Sequence, residues 1–101
     1  MRKLGPGRPF NPLFLYSLPK IKEFIPRPCL NSEPIELTFP EFEVLRLIDL
    51  EGLKQEEAAK EMKTSRGTVW RLLVSARKKV IQALVEARPL IISETGEVTK
   101  L

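Results

Sequence analysis

"KTSRGTVWRLLVSARKK", residues 63–79, is the stretch that decides how this chain folds. At about 100° per residue, Val69, Leu72, Leu73 and Ala76 fall on one side of a helix, and Val80 and Ala83 continue that side. Ser65 stands where an N-cap belongs, and Pro89 stops extension much beyond Ala87. The opposite side presents Gly67, Arg71, Val74 and Lys78, with Thr68 and Trp70 on its flanks and Arg66 reaching outward near the start. One face is made for a core. The other keeps cations and an indole in the open.

Upstream, the spacing predicts a short helix from about Lys54 to Met62, with Gln55, Glu56 and Glu57 in a first turn whose dipole favours acids. Ala58 and Ala59 make its contact face small, and Met62 is a plug. Two helices joined by so short a turn cross steeply, which needs small residues where the backbones approach. Gln55 to about Leu73 therefore reads as a helix-turn-helix, against the plainer alternative of a helical hairpin in a bundle. Lys63 stands where such a turn commonly has glycine, and Thr64 where it commonly has an aliphatic residue.

Further back, "TFPE" carries a helix start: Thr38 caps, Pro40 sits in the first turn, and Glu41 completes a capping box. Phe42, Leu45, Leu47, Ile48 and Leu50 are expected to form the buried stripe of this first helix, and Gly52 to end it. Before it lie seven prolines between Pro6 and Pro34, which exclude long helices. There "LFLYS" and "IKEFI" read as short edge strands or extended arms. After Pro89, "LIISETGEVTKL" reads as two strands about a Thr95-Gly96 turn. The expected fold is mainly α: a three-helix core with a helix-turn-helix, winged-helix-like or sigma region-four-like. Residues 1–36 form a Pro-rich basic arm, 37–89 the helical domain, and 90–101 a C-terminal strand or hairpin.

Composition limits the function. The chain has 101 residues, 43% hydrophobic and 30% charged, with a net charge of +4 and no histidine. Missing histidine removes Ser-His-Asp and Cys-His nucleophile systems and all His-dependent metal sites. There is no Gly-rich phosphate loop, and the adjacent Glu56 and Glu57 point different ways. No enzyme, cofactor or metal is expected. No apolar run reaches the length of a membrane span, no secretion signal is recognisable, and Cys29 cannot pair internally, so the expected compartment is the cytoplasm. Cys29, between Pro28 and Leu30, reads as a small apolar filler. Charge is segregated: basic to Arg27, acidic from Glu41 to Glu61, basic again from Lys63 to Arg88. That arrangement suits a polyanion.

The outward face of the third helix is thus expected to read double-stranded DNA. Arginine bonds guanine in two places, threonine serves bases or phosphates, and Gly67 keeps the helix thin. The candidate contacts are Gln55, Thr64, Ser65, Arg66, Gly67, Thr68, Trp70, Arg71, Arg77 and Lys78. Arg77, Lys78 and Lys79 suit phosphates; Trp70 either touches DNA or packs on the first helix or the arm; Gln55 either holds a phosphate or only starts its helix. Gly7-Arg8-Pro9 suits an AT-rich minor groove, with Arg8 as the probe, or is a plain tail. A homodimer or higher oligomer is expected, because one such motif makes few base contacts and Ile81, Leu84 and Val85 add apolar surface.

The segments "EFEVLRLIDLEGLKQEEAA", "SRGTVWRLLVSARKK" and "ALVEARPLII" together resemble a prokaryotic family of small predicted DNA-binding proteins, domain of unknown function one-three-four. Its helix-turn-helix is similar to that of sigma-factor region four. The resemblance covers residues 37–92, with "FIPRP" and the Gly-Arg-Pro start extending it. "MKTS" departs from the more usual Met-Gly-Val-Ser. The resemblance implies DNA binding in transcription regulation; its sigma-like side allows an interaction module docking on RNA polymerase as the alternative.

Overall fold

The computed structural model describes residues 19–93. Within them the order is β1 (Glu23–Phe24), β2 (Ile35–Thr38), α1 (Phe39–Leu45), a π-helical segment (Arg46–Leu50), α2 (Gln55–Glu61), α3 (Arg66–Glu86) and β3 (Leu90–Ser93). The protein is mainly α, with a three-stranded sheet in the order β1-β3-β2. The strand within "IKEFI" is present as β1. "LFLYS", Gly7-Arg8-Pro9 and the Thr95-Gly96 turn lie outside the described residues.

α1 begins as its sequence dictates. The Thr38 hydroxyl accepts from the Glu41 amide, and the Glu41 carboxylate accepts from the Thr38 amide at 2.9 Å. The buried stripe differs from the expected one. Val44 and Leu47 are buried, Phe42, Leu45 and Ile48 pack on the core from its edge, and Leu50 is 78% exposed. After Leu45 the helix widens to i→i+5 bonding, with the Glu51 amide donating to the Arg46 carbonyl at 2.9 Å. That wider turn carries Leu50 out of the stripe. Gly52 then adopts φ +83°, the left-handed conformation that releases the chain.

β2 was not expected as a strand, and the boundary expected at 36/37 falls inside it. Ile35 and Leu37 are buried while Glu36 faces out, the alternation of a half-buried strand. β2 runs parallel to β3, Ile35 opposite Leu90 and Leu37 opposite Ile92, so the helices form the crossover between them. β1 pairs antiparallel to β3 on its other edge. The sheet thus ties both ends of the helical unit. Leu37 joins Val44, Leu47, Ala58, Ala59, Met62, Val69, Leu73 and Ala76 in one core. Cys29 is no filler: it is exposed, and its thiol donates to the Asn31 carbonyl at 3.5 Å. The turn that surrounds it shares nothing with that core.

Among the described residues two carboxylates lie inside. Glu43 is fully buried and meets Arg46 through two bonds, at 3.0 and 3.1 Å. Glu41, 4% exposed, accepts from Lys79 at 2.8 Å and from the Ser75 hydroxyl at 2.5 Å, both on α3. Each is paired, as burial of charge requires. No helix of the described residues is long and apolar enough to cross a membrane.

Candidate nucleic-acid interface

α2 and α3 are separated only by Met62, Lys63, Thr64 and Ser65. The Thr64 amide donates to the Ala59 carbonyl at 3.0 Å, and the Lys63 amide to the Lys60 carbonyl at 3.2 Å. These are the two bonds of a Schellman stop, whose pivot is left-handed. Lys63 is that pivot, at φ 54°. The position where glycine is common is therefore left-handed here too, and lysine bears the strain. Met62 and Ala58 are wholly buried and Ala59 nearly so, and Val69 and Leu73 meet them from α3. This packing sets the outward direction of α3.

Ser65 caps α3. Its hydroxyl accepts from the Thr68 amide at 3.1 Å and donates to the Thr68 hydroxyl at 3.0 Å. Arg71 in turn donates to the Thr68 hydroxyl at 3.3 Å. Cap, threonine and arginine form one surface chain that holds the guanidinium over the first turns. Gly67, Trp70, Arg71, Val74 and Lys78 are exposed, as the periodicity predicts. A Cβ built on Gly67 would touch Arg71 Nη1 at 3.8 Å and Ser65 Oγ at 3.9 Å, ordinary contacts. Among the described residues nothing demands a glycine there.

Gln55, Arg66, Gly67 and Trp70 line one open cleft between the start of α2 and the start of α3. Trp70, 51% exposed, stands in that cleft instead of filling the core. Thr64 is half-buried, its amide used in the turn. Arg71 and Lys78 share the outer side of α3, and Arg66 lies on its flank in this cleft at the N-terminal end.

Two of the expected phosphate cations are otherwise engaged. Arg77 donates to Asp49 from Nη2 at 2.7 Å and from Nε at 3.1 Å, and Lys79 binds Glu41. The Arg77 guanidinium holds the Asp49 carboxyl below its ordinary range. Asp49 lies 28 residues from Arg77, so no local spacing announces the pair. Lys78 stays exposed between the two. Arg8 lies outside the described residues.

Comparison with known proteins adds a family. The family described as "Protein of unknown function DUF134" matches the chain over residues 1–101. A UPF0251 protein of Pyrococcus furiosus is 50% identical over 99 residues, covering 95% of this chain and 92% of the relative. One of Pyrococcus abyssi is 56% identical over 82 residues, covering 78% and 74%. One of Archaeoglobus fulgidus is 37% identical over 95 residues, covering 94% and 90%. No solved structure matches the chain significantly. The chain belongs to the DUF134 family.

Proposed function

We propose that this chain, a member of a family of unknown function, is a sequence-specific double-stranded DNA-binding protein that acts in transcription regulation. α2, the turn and α3 serve as its helix-turn-helix. One observation carries the reading: the outer face of α3 is narrow and cationic where it stands furthest from the core. Gly67 lies there between exposed Arg66 and Arg71, although its own chain leaves room for a side chain. A helix thinned without an internal reason suits close approach to an outside surface. Arg71, held by Thr68, would meet base edges in a major groove, and Arg66, Gln55 and Trp70 line the cleft facing the adjoining backbone.

The experiment is selection of bound fragments from a random duplex pool, followed by titration of the selected site across a salt series. Affinity should fall steeply with salt as counterions return to the phosphates. Gly67→Leu should keep the fold and lose the selected site. If no sequence is enriched and duplex binding ignores salt, the reading fails. In that event an interaction module docking on RNA polymerase or another regulator takes its place.

A further inference from the structure

Arg71 is held in place without being neutralised. Its Nη2 donates to the Thr68 hydroxyl oxygen at 3.3 Å, and the Ser65 hydroxyl donates to that same oxygen at 3.0 Å. Two donors fill both lone pairs of Thr68 Oγ1, and its own proton enters no hydrogen bond among the described residues. Arg46, Arg77 and Arg88 are each bound by a carboxylate. Arg71 is exposed and meets no carboxylate among the described residues, so a neutral acceptor orients it while its charge stays available.

What remains is a set of donors. Arginine has five N–H groups in a planar fork, and the two on Nη2 belong to different parallel pairs, one with Nε and one with Nη1. Whichever of them Thr68 takes, the other pair is left whole. The Thr68 proton adds one more donor, and Gly67 contributes no side chain. A base edge that fits must therefore offer two neighbouring acceptors and no donor. In the major groove guanine does so through N7 and O6. Adenine sets an amino group beside N7, cytosine presents an amino group, and thymine has one acceptor beside a methyl. A phosphate also offers paired acceptors, but the fork is folded back over the start of α3, Arg71 Nη1 lying 3.8 Å from the point a Gly67 Cβ would occupy. The first turns of a recognition helix are where base edges are reached.

We propose that Thr68 is the positioning residue that aims Arg71 at one guanine of the preferred site, so that discrimination for guanine depends on an uncharged hydroxyl. This deepens the DNA-binding reading and rests on it. Without the hydroxyl the long side chain regains its rotamers and serves phosphates and bases alike. Its charge is not removed with the hydroxyl.

The measurement is binding of the selected duplex with each guanine replaced in turn by adenine or by 7-deazaguanine, which lacks the N7 acceptor. For the natural chain, adenine at one position should cost roughly 5- to 150-fold, and the 7-deaza base there should also weaken binding. Thr68→Val keeps the side-chain shape and the amide that Ser65 caps, so helix content and thermal transition should match the natural chain. It should cut the guanine-to-adenine ratio at that position below about fivefold, with an unchanged salt slope because no charge is lost. Thr68→Ser, which restores the hydroxyl, should restore the ratio. Thr68→Ala gives the same comparison should valine lower the thermal transition. A full ratio without the hydroxyl, a ratio that serine does not recover, or no guanine sensitive to the 7-deaza base overturns the proposal and leaves duplex binding standing. A natural chain that binds no duplex in a salt-dependent way defeats the DNA-binding reading itself, and this inference with it.

Discussion

Asp49 and Arg77 form a two-point ion pair, Arg77 Nη2 donating to Asp49 Oδ1 at 2.7 Å and Nε to Oδ2 at 3.1 Å. It joins the π-helical segment to the middle of α3. Both side chains are roughly half exposed, 41 and 50%, so the pair stabilises by less than about 1 kcal/mol. Its larger effect is on where charge is available. Asp49→Ala should change stability by no more than that amount while freeing Arg77 for phosphate. Under the DNA-binding reading, affinity for any duplex should rise and the salt slope steepen by roughly one unit. A slope unchanged from that of the natural chain would show that Arg77 stays away from the duplex.

Arg71 and Lys78 test reading against positioning. Both are exposed on one side of α3, seven residues apart in sequence, which is about 10 Å along the axis. Arg71→Ala should cost about 1–3 kcal/mol on the selected site and flatten discrimination between sites. Lys78→Ala should weaken selected and scrambled duplexes alike and lower the salt slope by roughly one unit. Fluorescence anisotropy on both duplexes separates the two. Equal weakening of both duplexes by Arg71→Ala would remove this helix from the groove.

Glu41 links acid to stability. Burial by itself raises its pKa, but the Lys79 ammonium, the Ser75 hydroxyl and the Thr38 amide outweigh that and hold it below the ordinary 4.5. A carboxyl depressed in the folded state contributes stability that is present above its unfolded pKa. That contribution is lost as pH falls through the folded value. Urea midpoints should therefore be flat above about pH 5 and fall below about pH 4.5. Glu41→Gln keeps the shape but not the charge, and should cost roughly 1–3 kcal/mol at pH 7 while flattening the acid limb. An acid limb of undiminished slope in that variant would assign it to other carboxylates.

Lys63 offers the opposite sign. A left-handed lysine at the turn is strained relative to glycine by about 1 kcal/mol. Lys63→Gly should raise the unfolding free energy by up to roughly that amount, offset in part by the extra freedom of glycine in the unfolded chain. Chemical denaturation of the two proteins decides it. A loss greater than 1 kcal/mol would mean that the lysine side chain supports the turn.

The helices and their ends were legible in the sequence because their causes are local. A capping box needs Thr38 and Glu41 three residues apart, a stop needs Gly52 or Pro89, and the inner face of α3 needs only a period of 3.6. The exposed side of α3 follows from the same period, which puts Gly67, Arg71 and Lys78 on it. Three features could not. β2 is a four-residue strand whose partner lies some fifty residues later, and pairing across that distance leaves no local mark. Leu50 was turned to solvent by one π turn, which the apolar pattern does not encode.

The last is the division of the cations. Arg77, Lys78 and Lys79 are consecutive in sequence, and sequence alone treats them alike. Adjacent residues on a helix point about 100° apart. Only the packing of α1 and its π extension against α3 brings Asp49 to Arg77 and Glu41 to Lys79, and leaves Lys78 exposed between them. Sequence determined which residues carry charge and which helix presents them; tertiary structure decided which of those charges are already spoken for, because ion pairing acts through a few ångströms of space and not through distance along the chain.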